Sequence, residues 1–263
     1  MSSLQSGKTG NHFLDSLRSE TLALFRAYLV EVHLERGQVL IAPGAELDFV
    51  CLPVTATLCV VTTMEDGGDV EACTIGHESA YGLLNALGSS IALDRVVAQI
   101  PGRAIKMPAF RLRAAAAISP GITSLVIRHA QANTAQIQQS VACNALHRVE
   151  ARLCRWLLMT HDRTQSASLP LTQEFLGSML GVQRTTVSGI AAALQRAGLI
   201  RYARGNIEIL NRAGLEASAC ECYRAVGERY AQLFGETRPA DPAWPGSHPT
   251  AEARYQTDRA QER

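Results

Sequence analysis

The period of the hydrophobic positions changes along the chain. From Asn11 to about Leu29, Phe13, Leu14, Leu17, Leu24, Phe25 and Tyr28 recur at helical spacing with Arg18, Glu20 and Arg26 between them. That pattern predicts one helix, capped by Asn11. From Val30 short runs rich in Val, Ile, Leu and Thr alternate with Gly and Pro, which predicts strands and turns. Arg36-Gly37, Pro43-Gly44 and Asp66-Gly67-Gly68 mark turns, the last a hairpin. Glu78–Asp94 breaks the strand texture as a short helix or loop, and strands return over Arg95–Met107. A small antiparallel barrel or roll of about eight strands is expected.

Pro108 to about Asp162 reads as helix in two or three pieces, interrupted at Ser119-Pro120-Gly121. Beyond the break, Ile127, Ala130, Thr134, Ile137, Val141 and Asn144 follow alternating three- and four-residue steps. Such a heptad-like seam packs either on its own barrel or on a symmetry mate, where the polar Asn144 can fix the register. Leu146, Val149, Leu153, Trp156 and Leu157 form an apolar stripe assigned to the next helix, and Thr164–Ser168 is a polar loop. Helix resumes after Leu210 through about Phe234. The Pro- and charge-rich stretch from Glu236 is expected to be disordered.

Leu171–Leu210 is the most informative segment: LTQEFLGSMLGVQRTTVSGIAAALQRAGLIRYARGNIEIL. Thr172 can cap a first helix whose inner face is Phe175, Leu176, Met179 and Leu180. Gly181 stands where the chain must turn sharply. A second helix from about Gln183 buries Val187, Ile190, Ala191 and Leu194 on one face and ends at Gly198. A hairpin turning at Arg204-Gly205-Asn206 follows. Helix, turn, helix and hairpin, in that order, form a winged helix-turn-helix. Its exposed N-terminal turn carries Gln183, Arg184 and Thr185. Arg can bind guanine O6 and N7 in a bidentate way, and Gln can bind adenine likewise. Thr186 and Ser188 suit phosphate or base contacts, and Arg201 and Arg204 can meet the DNA backbone.

Composition narrows the picture without redirecting it. With 263 residues, 47% of them hydrophobic and 19% charged, the chain is globular rather than disordered. The net charge of +1 leaves a local basic surface possible. There is no 18-residue apolar run, so no membrane span is expected. The opening MSSLQSGKTGNHF lacks a basic segment followed by an apolar core, so no secretory leader is expected and the location is expected to be cytoplasmic. Seven cysteines, at 51, 59, 73, 143, 154, 220 and 222, include no CxxC pair. Free thiols are expected, with no metal, cofactor or catalytic residue. The barrel stretch holds only His33 and His77 with no HxH pair, which argues against a metal-dependent enzyme on a cupin-like barrel.

The segment LTQEFLGSMLGVQRTTVSGIAAALQRAGLI followed by RGNIEIL resembles the C-terminal domain of the Crp–Fnr family of bacterial transcription regulators. The upstream barrel and long helix resemble that family's sensor domain and dimer helix. The resemblance implies an α+β chain: an N-terminal antiparallel β-roll of the cyclic-nucleotide-binding-like jelly-roll kind over 11–118, a dimerisation helix over 119–148 and a winged helix-turn-helix over 149–235, with a tail over 236–263. It implies a homodimer on a palindromic operator in double-stranded DNA, with Thr172, Gln183, Arg184, Thr185, Thr186, Ser188, Arg201 and Arg204 as the DNA-binding set. RNA polymerase and a small-molecule effector are further implied partners.

The family's recognition helix often carries an Arg-Glu pair and an Arg four residues after the Glu. Arg184 matches the first, while Thr185 and Gly189 replace the other two. The operator is therefore expected to differ from the family's best-known palindromes. Of the family's cyclic-nucleotide pocket, Gly82, Asn85 and Arg95 stand near the expected positions. No Glu stands at the ribose position and Val96 follows Arg95, so ordinary cyclic-AMP binding is not expected. Residues 1–50 hold no cysteine, which removes the family's N-terminal iron–sulfur centre. His77 is a candidate haem ligand or an ordinary turn residue, and Cys59 and Cys73 are redox sensors only if exposed with a lowered pKa. The alternative reading is a ligand-binding module whose helical domain contacts protein rather than DNA.

Overall fold

The computed structural model describes residues 8–235 apart from Asp66, Gln165 and Ala167. The expected disordered tail from Glu236, and Asp66 of the expected hairpin turn, lie outside the described residues. Helix α1 (His12–Asp15) and helix α2 (Ser19–Arg26) replace the single N-terminal helix that the spacing predicts. Asn11 does cap α1, its side chain accepting from the Phe13 N–H, while its amide donates to the carbonyls of Pro53 and Ser79 at 2.8 Å each. The Asp15 carboxylate folds back to accept from the N–H and hydroxyl of Thr9. The backbone is extended at Arg18 before α2 begins.

The roll consists of β1 (Val30–Leu34), β2 (Val39–Ile41), β3 (Phe49–Pro53), β4 (Thr57–Thr63), β5 (Asp69–Ile75), β6 (Arg95–Ile100) and β7 (Gly102–Pro108), with the short helix α3 (Leu83–Leu87) between β5 and β6. Among the described residues there are thus seven roll strands, not eight. They form two antiparallel sheets, ordered β1-β7-β3 and β2-β6-β4-β5. The expected hairpin joins β4 to β5, with the Met64 N–H donating to the Gly68 carbonyl at 2.8 Å.

Strand alternation explains how three cores arise from one roll. Leu58 and Val60 of β4, with Val96 and Ala98 of β6, point between the sheets. Cys59, Val61 and Val97 point outward into a core shared with the C-terminal domain. On the other sheet, Cys51 and Ala104 face inward, while Val50, Leu52, Ile105 and Met107 face α1, α2, α3 and the following helices. β3, β4 and β6 are covered on both faces over most of their length, so they read as nearly continuous apolar runs, whereas β1 and β2 keep exposed positions.

Helix α4 (Ala109–Ile118) leads to α5 (Pro120–Leu146), which has Pro120 at its first turn, where a missing N–H costs nothing. At 27 residues α5 spans about 40 Å. It ends at His147, and α6 (Val149–Thr164) follows. Leu146 does not join the α6 stripe: it ends α5 and is 79% exposed. Leu153, Trp156 and Leu157 are buried in α6 as expected. Then come β8 (Ser168–Leu169), α7 (Gln173–Leu180), α8 (Arg184–Arg196), β9 (Ile200–Ala203), β10 (Asn206–Ile209), α9 (Arg212–Ser218) and α10 (Cys222–Phe234). The last helical stretch is therefore two helices, not one. Strand β8 begins at Ser168, the last residue of the expected polar loop, and adds a third strand to the hairpin, in the order β8-β10-β9. Among the described residues, no helix is long and apolar enough to cross a membrane.

Candidate nucleic-acid interface

Helix α7 is started by Thr172, whose Oγ1 accepts from the Phe175 N–H at 3.2 Å. It ends at Gly181, with φ +64°, a left-handed conformation that other residues resist. The turn closes tightly: a Cβ on Gly177 would stand 2.9 Å from the Val182 carbonyl oxygen. The helices can approach this closely only because residue 177 has no side chain. Gln183 then caps α8 in an extended conformation.

The face of α8 follows its spacing. Val187, Ala191 and Leu194 are buried against Leu176, Met179 and Leu180, and Ile190 is partly buried beside them. Gln183, Arg184, Thr185 and Thr186 are exposed at the helix start. The first turn thus offers a guanidinium, an amide and two hydroxyls on a rigid support, beside N–H groups that favour a phosphate. Ser188 is half-buried and already engaged: its hydroxyl lies 2.5 Å from Gln173 Oε1 and 3.0 Å from the Arg184 carbonyl. A Cβ added at Gly189 would meet nothing within 4 Å. Among the described residues, no packing demands a glycine there.

The wing is pinned to both helices. The Gln173 N–H donates to the Tyr202 hydroxyl at 3.1 Å, and the Tyr202 N–H donates to Gln195 Oε1 at 2.8 Å. Sequence reasoning passed over these anchors, although Tyr202 is the one aromatic residue in the hairpin. At the turn, Arg204 and Gly205 both have positive φ, +50° and +77°, the pattern of a tight two-residue hairpin. Arg204 is exposed there. Arg201 is exposed too, but bridges to Glu208 on the neighbouring strand at 2.5 Å. Thr172 serves chiefly as a cap, on the edge where the wing turn approaches α7. Gln183, Arg184, Thr185 and Thr186 therefore form one free surface, with Arg204 carrying the wing tip.

Among the described residues, nothing covers the seam on α5. Ile127, Ile137 and Val141 are 48%, 37% and 65% exposed. Thr134 and Asn144 are exposed, and Ala130 is half-buried. The opposite face carries His129, Ala132, Gln136, Ser140 and Cys143, all buried.

The effector-pocket candidates each have an internal role. A Cβ on Gly82 would lie 2.8 Å from the Phe49 carbonyl oxygen. Asn85 donates to the carbonyls of Ser89 and Ile91. Arg95 pairs with Asp69 at 2.5 Å. Leu34, Leu47, Leu58, Tyr81 and Val96 fill the space between the sheets. A cleft of about 520 Å³ lies elsewhere, where His77, Glu78, Gln136, Arg163 and Tyr230 meet. His77 is a turn residue there, with Nδ1 3.3 Å from the Arg163 carbonyl. His33 is 3.7 Å from Glu35 at the surface.

All seven cysteines are free and buried. Burial pushes the Cys59 and Cys73 thiols up, and Cys51 up to about 12, so these are poor redox sensors. The sequence expectation of scattered thiols with no metal-type cluster fails at one place. Cys143, His147, Cys220 and Cys222 come together, their donor atoms all within 4.8 Å of one another. The available signals were a Cys in the last turn of one helix with a His four residues on at its cap, and a Cys-x-Cys pair where the last helix begins.

Residues 151–218 match the family model of the Crp-like helix-turn-helix domain. A CRP-family transcriptional regulator from Thermus thermophilus is similar in structure, at 21% identity and TM-score 0.61, over 72% of this chain and 96% of that one. A crp/fnr-family transcriptional regulator from Eubacterium rectale is similar at 17% identity and TM-score 0.63, over 80% and 99%. FixK2 from Bradyrhizobium japonicum is similar at 16% identity and TM-score 0.63, over 73% and 98%. No curated protein matches the chain.

Proposed function

We propose that this chain, a DNA-binding transcriptional regulator of the Crp/Fnr type, acts as a homodimer joined along α5 and reads a palindromic operator through the first turn of α8. The observation that carries this reading is the division of α8: one face is locked into the core, while Gln183, Arg184, Thr185 and Thr186 stand free at its N-terminal end. Arg184 is the principal base reader, bidentate to a guanine, a contact worth about 1–3 kcal/mol of discrimination. Thr185, Thr186 and Arg204 contribute phosphate contacts, and Ser188 steadies Gln173 rather than reading bases. With Thr185 and Gly189 at two customary reading positions, the operator departs from the family's usual half-site.

The exposed seam Ile127, Ala130, Thr134, Ile137, Val141 and Asn144 is the dimer surface. Its occupant is a second copy, because an exposed heptad-spaced stripe of mainly apolar residues along a helix of this length suits a two-helix seam. A twofold dimer places two α8 helices about one turn of DNA apart, roughly 34 Å. RNA polymerase is the further partner of the DNA-bound dimer in this reading.

The roll is read as a platform whose effector is not an ordinary cyclic nucleotide. Arg95 already has a carboxylate partner, and the interior is filled by apolar side chains. The test is fluorescence anisotropy of labelled duplexes over a range of salt concentrations. Specific binding that weakens steeply with salt supports the reading. Binding equally weak to all sequences, or none, refutes it.

A further inference from the structure

We propose that Cys143, His147, Cys220 and Cys222 form a four-coordinate site for a thiophilic divalent d10 cation, zinc above all, that clamps the end of α5 to the DNA-binding domain. The spacing of the donors fits such an ion. Zinc–sulfur bonds of about 2.3 Å and zinc–nitrogen bonds of about 2.0 Å put tetrahedral neighbours roughly 3.5–3.8 Å apart. Cys143 Sγ lies 3.5 Å from Cys220 Sγ, and Cys222 Sγ lies 3.4 Å from His147 Nδ1. Three sulfurs and one imidazole make a closed Cys3His donor set, the composition of a structural zinc site.

The surroundings supply what a metal site needs beyond its ligands. His147 presents Nδ1 to the cluster and Nε2 to Glu221 Oε1 at 3.2 Å. A carboxylate behind a ligating histidine fixes its ring and its tautomer. Gln139 Nε2 donates to Cys222 Sγ at 3.0 Å. Three thiolates and a divalent ion carry a net charge of −1. Buried Arg155 lies close enough to favour charge on Cys143 and Cys220, and its Nε has no hydrogen-bond partner. The three thiols release their protons to solvent as the ion binds.

The three sulfurs form a small cluster of their own, separate from the three larger cores and packed with Ala151. Apolar packing alone gives no reason for an imidazole and three sulfurs to converge there. A simple disulfide would use two of the four donors and leave His147, Glu221 and Gln139 without purpose.

The site straddles the joint between two parts of the molecule. Cys143 is on the last turn of α5, and His147 caps that helix just before α6. Cys220 lies in the α9–α10 connection and Cys222 is the first residue of α10. An ion held by all four fixes the direction in which α6 and the helix-turn-helix leave the long helix. Resting on the regulator reading above, this makes metal occupancy a determinant of how the two α8 helices are spaced.

The test uses the full chain, reduced, stripped with chelator and titrated anaerobically with cobalt(II) and then zinc(II), with no DNA present. One cobalt per chain, with the visible bands of tetrahedral cobalt–thiolate and displacement by zinc, is the expected result. Cys220→Ser should abolish the charge-transfer bands. Because Cys220 is buried and its loss threatens folding, Glu221→Gln provides a milder check and should weaken metal affinity by roughly 10–100-fold while leaving the circular dichroism unchanged. Uptake of no metal by reduced wild-type chain, formation of a Cys143–Cys220 disulfide as the chain's only reaction there, or a cobalt spectrum unchanged in both variants would overturn the proposal. Since DNA is absent, any of these leaves the regulator reading standing. Failure of the metal-loaded chain to bind DNA would count against that reading and not against the site.

Discussion

Arg163 of α6 donates through Nε to Glu78 Oε1 at 2.7 Å, with both side chains almost fully buried where the roll meets the helical domain. Burial pushes the Glu78 carboxyl up, but the Arg163 guanidinium, the backbone N–H groups of Glu78 and Gly76 and the nearby His77 together hold it below its usual range. The same guanidinium donates to Gln136 Oε1 of α5 and to the Met159 carbonyl, while the Tyr230 hydroxyl donates to the Glu78 carbonyl. One ion pair thus joins the roll to α5 and α6, with Tyr230 tying α10 to the same carboxylate residue. Removing one partner strands a buried charge. Arg163→Met should therefore destabilise the chain by about 3–5 kcal/mol in urea unfolding, whereas the double change Glu78→Gln with Arg163→Met should recover much of that loss. A single variant as stable as the parent would show that the pair does not hold the two parts together.

The exposed seam makes a separate prediction. Val141→Asp with Ile137→Asp places charges on a face that the described residues leave open. In sedimentation, the parent should run as a dimer and the double variant as a monomer with its circular dichroism intact. An unchanged sedimentation coefficient would remove the seam from the interface.

Gly189 separates stability from function. Alanine meets no atom there and is a better helix former than glycine. Gly189→Ala should raise stability by up to about 1 kcal/mol. If the glycine allows close approach to DNA, operator affinity should fall at the same time. Stabilisation with undiminished affinity would make Gly189 a position without a role in binding.

His129 supplies a pH dependence. Burial holds its pKa down at about 4, among Phe13, Phe234 and Ser79, with Glu78, Arg128 and His12 as the charged or titratable groups nearby. In the unfolded chain the ring takes up a proton near its ordinary value, about 6.5. The unfolded state then binds more protons between pH 4 and 6.5. Stability from this group is full above pH 6.5 and is lost as pH falls, by at most about 1.4 kcal/mol per pH unit. His129→Gln should flatten the acid limb of an unfolding-free-energy profile recorded from pH 7.5 to 4.5, and an unaltered slope would contradict the assignment.

The parts of this structure legible in the sequence are those with one-sided burial. Helix α8 announces itself because Val187, Ile190, Ala191 and Leu194 repeat on one face while Gln183, Arg184 and Thr185 stay polar. The roll strands were legible as strands, but not in number, because strands covered on both faces, such as β3, β4 and β6, lose their alternation. The break after Asp15 was hidden, since the apolar spacing runs on through it and the tie to Thr9 is a tertiary contact. Strand β8 is only two residues long and exists through pairing with β10. The Cys3His cluster was illegible for a related reason: α6, the helix-turn-helix and the wing separate its two halves in sequence, and only folding joins them.

The central claim is that α8 reads operator sequence through Arg184. Its most direct test is selection of bound duplexes from a random pool, run in parallel with the parent chain and with Arg184→Ala. The account predicts that the parent enriches an inverted repeat whose half-sites lie about one helical turn apart, and that Arg184→Ala loses the preference at one symmetric position while keeping the spacing. No enriched motif, or the same motif from both proteins, would contradict it.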